Sequence, residues 1–136
     1  MTEILKFLHF IALAVAIGGG ISNMVAGRQQ ARASAEVKPA FAALQKRVAR
    51  LSALSLAVLW LTGIALVYAI YGGWTGLGTW FWIKIAAVAA LTLVSGTAQL
   101  LMARRSPPPP IIKPLGLSGM IFAQLSVLFA VLAFTY

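Results

Sequence analysis

A single histidine, His9, stands early in a long apolar run, with Lys6 three residues before it on the same helical face. Lys84 is placed in a similar way, after the cluster Trp80-Phe81-Trp82 near the start of another apolar run. Titratable groups inside a membrane segment are costly, so each is a functional candidate by default. An imidazole between ammonium groups could ligate a metal, hold a proton or receive an anionic ligand. Under the topology derived below, Lys6, His9 and Lys84 share one depth, and a pocket formed from them would be roofed by Trp80. The structural alternatives are ordinary: a lysine one turn inside a helix snorkels to the headgroups, and a lone histidine near a helix end is often a hydrogen-bonded packing residue.

The chemistry open to such a site is narrow. A bis-ligated b-type haem needs a second axial ligand at matching depth. Met24 lies 15 residues beyond His9, roughly 22 Å along a helix. Met102 and Met120 also fall toward the opposite side, leaving only a folded-back Met1. A single-ligand haem on His9 remains open, as does a tetrapyrrole whose carboxylates pair with Lys6 and Lys84. Copper would want a His/Met cluster, and none is present. The chain has no cysteine and only two acids, Glu3 and Glu36. Thiolate metal sites, disulfides, hydrolytic constellations and proton-relay carboxylates are therefore excluded. No residue is assigned a catalytic role from the sequence.

Four apolar runs must position these residues. Their expected helices are about 4–26, 39–71, 80–103 and 115–136. Each meets the roughly 20 residues that a helix needs to cross a hydrocarbon core of about 30 Å. With 61% apolar residues in 136, no water-soluble surface can be built from what remains. The expected fold is an all-α integral membrane protein: one domain, 1–136, forming an antiparallel bundle of four transmembrane helices. A net charge of +9 could suggest nucleic acid in a soluble protein. In a membrane protein it marks the cytoplasmic loops, so no nucleic-acid partner is expected.

Nine of the eleven basic residues flank the first and third connections: Arg28, Arg32, Lys38, Lys46, Arg47, Arg50, Arg104, Arg105 and Lys113. Only Lys6 and Lys84 lie toward the other side. The positive-inside bias places both termini outside the cytoplasm. Tyr68, Tyr71, Trp74, Trp80, Trp82 and Tyr136 fall at the non-cytoplasmic ends, as an interfacial belt would. Ala14-Val15-Ala16 has the small-x-small pattern of a cleavage site. The apolar run continues past it, however, and the basic charge follows rather than precedes, so a retained helix is expected.

Helix one carries Ala12, Ala16 and Gly20, and also Ala14, Gly18, Ser22 and Ala26, at four-residue spacing. Small residues so spaced let backbones approach closely, and two such faces suggest a central helix. Lys38-Pro39 reads as a helix start, with Phe41, Leu44, Val48 and Leu51 on one stripe. Helix two should therefore begin outside the membrane, with Lys46, Arg47 and Arg50 near anionic headgroups. The glycine-rich segment 72–79 makes helices two and three antiparallel neighbours, while Pro107–Pro110 favour a stiff extended spacer. Ser52, Ser55, Thr62, Thr92, Ser95, Gln99 and Gln124 read as interhelical hydrogen-bonding groups.

The stretch Leu5-Lys6-Phe7-Leu8-His9-Phe10-Ile11-Ala12, followed by a glycine cluster, resembles the first helix of the HemJ family. It is also similar to the opening of the copper-resistance D-like group. Trp80-Phe81-Trp82-Ile83-Lys84-Ile85 resembles the Trp-x-His-x-Lys segment of the third HemJ helix. The resemblance covers about a quarter of the chain and implies a small four-helix membrane fold, roles for Lys6, His9, Trp80 and Lys84, and protoporphyrinogen-oxidase-like activity. Trp82 stands where that family has its histidine, which removes the partner expected for His9. Two readings follow. One is a HemJ-like protein binding a tetrapyrrole or similar anionic ligand near His9, in redox or porphyrin metabolism. The other is a non-catalytic accessory or assembly subunit of a larger respiratory or photosynthetic complex. Partners are the lipid bilayer and, in either reading, a homo-oligomer or larger membrane assembly.

Overall fold

The computed structural model describes residues 1–104 and 111–135. They form four helices: α1 (Thr2–Arg32), α2 (Lys38–Tyr71), α3 (Thr79–Arg104) and α4 (Ile112–Thr135). All four are long and apolar enough to cross a membrane, over Thr2–Arg32, Lys38–Tyr71, Thr79–Leu101 and Pro114–Leu132. Large apolar side chains point outward along them, among them Phe7, Leu54, Leu61 and Leu93, the last 73% exposed. Such surfaces suit hydrocarbon and not water, and helices are the segments that satisfy every backbone group there. The chain is a multi-pass membrane protein.

Two helix ends depart from expectation. α1 runs six residues beyond Ala26, to Arg32, because the polar segment 27–32 stays helical after its hydrophobicity has ended. Arg28 and Arg32 thus belong to the helix and not to a loop. α4 starts at Ile112, ahead of Pro114. A proline in the first helical turn loses no hydrogen bond, since those N–H groups have no partner within the helix anyway. The spacer Pro107–Pro110 and Arg105 lie outside the described residues, as does Tyr136.

The helices fall into two compact units, the first essentially Glu3–Gly63 and the second Ile64–Tyr136. In the first, α1 packs antiparallel on α2. His9 meets Thr62 and Gly63, Gly19 meets Ser52 and Val48, and Gly27 meets Gln45. Gly19 lets the backbones close: a Cβ there would overlap Ser52 Oγ and stand 3.5 Å from Val48 Cγ1. Ala12 and Ala26 are the buried members of this face of α1. The seam therefore follows the helical repeat through 9, 12, 19, 23 and 26, successive members lying three, four or seven residues apart. Of the second small-residue face only Ala26 is covered; Ala14, Gly18 and Ser22 are exposed. Gln45 Nε2 donates to the Asn23 carbonyl at 3.2 Å, and Gln30 Nε2 to the Lys38 carbonyl at 3.4 Å. These bonds tie the polar ends of the two helices together.

The second unit holds the end of α2 with α3 and α4. α2 stops at a left-handed glycine, Gly72 (φ 69°), whose N–H donates to the Tyr68 carbonyl at 3.2 Å. Gly73 and Gly76 also take positive φ, and the turn reverses the chain into α3. α3 and α4 pack antiparallel, with Trp80 stacked on Phe129 and Gly119 against Leu91 and Val94.

Candidate functional site

His9 is half-buried, and its Nδ1 lies 2.8 Å from the Oγ1 of Thr62, a buried residue of α2. The Thr62 hydroxyl also lies 2.7 Å from the Val58 carbonyl, with the Leu59 carbonyl at 3.3 Å, so its one proton has acceptors within α2. With the proton on Val58, Oγ1 accepts and His9 Nδ1 donates. In neutral imidazole one nitrogen is donor and the other acceptor. The basic lone pair is then carried by Nε2. Behind the ring, a Cβ at Gly63 would stand 3.5 Å from His9 Cε1, so the imidazole lies against bare α2 backbone. Backbone and hydroxyl thus set the orientation of the His9 ring.

The other sequence-derived residues have local partners. Lys6 Nζ donates to Glu3 Oε1 at 3.1 Å across one helical turn, on an exposed face. Lys84 Nζ stands 5.8 Å from the centroid of the Phe81 ring, a cation–π placement. Trp80 is stacked on Phe129, with centroids 6.2 Å apart. Lys6 and His9 belong to the first unit, Trp80 and Lys84 to the second.

Around the α2–α3 turn the aromatic residues form a connected set. Trp74 Nε1 donates to Tyr68 Oη at 3.1 Å, with the two rings edge to face. Trp82 lies 6.1 Å from Trp74 and Phe81 6.2 Å from Tyr71, centroid to centroid. Trp82 is thus engaged with Trp74. Beside it opens a recess of about 390 Å³, lined by Tyr71, Trp80, Phe81 and the segment 76–79.

Sequence reasoning grouped Thr62 with the interhelical hydrogen-bonding residues but did not join it to His9. Ser55, Thr92 and Thr97 donate to carbonyls one turn back on their own helices. Gln124 is exposed. Among the described residues no group of three or more His, Cys, Asp or Glu side chains could hold a metal ion. Any haem held by an imidazole would be held by His9, the single histidine of the chain. No protein-family model, characterised protein or solved structure matched this chain.

Proposed function

We propose that this chain is a HemJ-like protein of the bacterial inner membrane, with both termini non-cytoplasmic, that binds a tetrapyrrole or similar anionic ligand through His9. The observation that carries this reading is the 2.8 Å hydrogen bond between His9 Nδ1 and Thr62 Oγ1, with the Val58 carbonyl 2.7 Å from the same oxygen as an acceptor for the threonine proton. Histidines that ligate metals commonly donate their other ring N–H to a fixed acceptor, which sets ring orientation and raises ligand basicity. Trp80 and Lys84 are proposed contacts of a tetrapyrrole on the strength of the sequence resemblance. A bound haem would supply one-electron redox chemistry, whereas a metal-free porphyrin would be held as substrate or cargo. The chain's own contribution is to present Nε2, exclude water through its apolar surroundings and neutralise carboxylates.

The test is an absorption spectrum of the protein in mild detergent, before and after adding haem or protoporphyrin. A Soret band that weakens in His9→Ala supports the reading. A spectrum unchanged by either addition sinks it.

A second reading, as a non-catalytic subunit of a larger membrane complex, is favoured by the uncovered small-residue face of α1. Gly18 has no atom within 4 Å of where its Cβ would be, and Ala14 and Ser22 are exposed beside it. That reading expects other subunits to co-purify and His9→Ala to leave assembly intact.

A further inference from the structure

The residues 72–78 turn the chain from the span of α2 into the span of α3. A connection between consecutive spans stays at one face of the bilayer, at the depth of the lipid headgroups. The recess of about 390 Å³ opens there. Its walls are Tyr71 at the end of α2, the segment 76–78, and Thr79, Trp80 and Phe81 in the first turn of α3.

The two kinds of wall ask for different chemistry. Tyr71, Trp80 and Phe81 present rings, which suit apolar atoms. The segment 76–78 presents backbone, since Gly76 and Gly78 have no side chain. Among the described residues, the N–H groups of Gly76, Leu77 and Gly78 donate to no backbone carbonyl. Such groups need an acceptor from outside the chain. Water can supply one but gains nothing from the rings. A Cβ at Gly78 would have nothing within 4 Å, so the space beside this backbone is open.

Charge decides the class of acceptor. From Ile64 to Arg104 the charged side chains are Lys84 and Arg104, and the two acids of the chain, Glu3 and Glu36, lie outside this stretch. Arg104 ends α3, roughly 38 Å from Thr79 along the helix. Lys84 is one turn beyond Trp80, and its Nζ stands 5.8 Å from the centroid of Phe81, a ring of the recess wall. An ammonium and N–H donors, in a stretch that has no carboxylate, attract an anion and repel a cationic headgroup.

We propose that this recess binds an anionic phospholipid of the phosphatidylglycerol type. Its phosphodiester would accept from the backbone of 76–78 and be neutralised by Lys84. The glycerol and first acyl carbons would lie against Tyr71, Trp80 and Phe81. The bilayer supplies such a molecule at this depth, and one molecule meets both kinds of wall. Trp80 and Lys84 are shared with the proposed tetrapyrrole contacts, but the lipid site does not rest on His9.

The experiment reconstitutes the full chain in nanodiscs of equal phosphatidylglycerol and phosphatidylcholine. The protein is then extracted in mild detergent, and native mass spectrometry counts the lipids it retains. Lys46, Arg47 and Arg50 toward the other end of α2 also attract anionic lipid, so the comparison between variants carries the result. Gly78→Leu fills the recess. Gly78 has no positive φ and open space about it, so helicity by circular dichroism should match the parent. The retained ratio of phosphatidylglycerol to phosphatidylcholine should fall about fivefold in Gly78→Leu, and by about as much in Lys84→Met. Gly18→Leu, in equally open space on α1, should match the parent. So should His9→Ala, whatever becomes of its Soret band. A ratio in Gly78→Leu equal to the parent's would overturn the proposal. So would release of the lipid by millimolar glycerol phosphate, which would make the site one for free phosphate.

Discussion

His9 Nδ1 and Thr62 Oγ1 stand 2.8 Å apart across the α1–α2 contact, and the Val58 carbonyl is 2.7 Å from the same oxygen. With the threonine proton on Val58, Nδ1 donates and Nε2 is the basic nitrogen. Nitrogen NMR of the protein labelled at histidine should show the tautomer protonated at Nδ1. Thr62→Val keeps the shape and removes the acceptor, so the signal should shift toward the tautomer mixture of an unconstrained imidazole. Stability should fall by about 0.6–2 kcal/mol, the range for polar interhelical bonds in membranes. An unchanged tautomer in Thr62→Val would remove the basis for a directed Nε2.

Gly19 of α1 packs directly against Ser52 of α2, since a Cβ on Gly19 would overlap Ser52 Oγ. Gly19→Ala should destabilise the pair by about 1–3 kcal/mol through overpacking. Gly18→Ala, with nothing within 4 Å of its Cβ position, should be near neutral or slightly stabilising. Ser52 Oγ is buried and has no hydrogen-bond partner. Ser52→Ala should therefore cost little, and combined with Gly19→Ala it should recover part of the loss. Reversible unfolding in detergent would measure this coupling as a double-mutant cycle.

The helices were legible because a crossing segment needs some twenty apolar residues, a signal that local detail cannot hide. The reach of α1 to Arg32 was not, since hydropathy stops at Ala26 while the backbone hydrogen bonding continues. The early start of α4 was hidden because the continuous apolar run begins only at Leu115, after Lys113 and Pro114, although a first-turn proline costs nothing. For the candidate site, His9 and Lys84 stood out as charges in apolar runs. Thr62 did not, because periodicity fixes neither the register nor the rotation of α2 against α1. The same ambiguity hid Gly19 among three consecutive glycines: only the register tells which of them meets Ser52.

The turn after α2 depends on backbone conformations that L residues avoid. Gly72 has φ 69° and Gly73 φ 139°, while Gly78 has no positive φ and open space around it. Gly72→Ala should cost about 1–2 kcal/mol, the steric penalty of the left-handed region. Gly78→Ala should be tolerated within about 0.5 kcal/mol, as exposed substitutions generally are. Thermal unfolding of the two variants, compared side by side, checks the contrast. Equal losses would mean that this turn does not hold α2 and α3 in place.

Lys84 discriminates between an anion-binding role and a packing role. Its ammonium stands 5.8 Å from the centroid of the Phe81 ring. A cation–π contact is worth about 0.5–2 kcal/mol, and Lys84→Met keeps much of the side-chain length while removing the charge. A membrane helix gains from losing a charge, so stability should change by less than about 1 kcal/mol. If Lys84 neutralises a carboxylate of a bound tetrapyrrole, the affinity for protoporphyrin should fall about tenfold, while its dimethyl ester should bind the two proteins equally. If affinity for the free acid is unchanged, Lys84 serves only to anchor α3 at the interface, and the carboxylate-pairing part of the proposed function is lost.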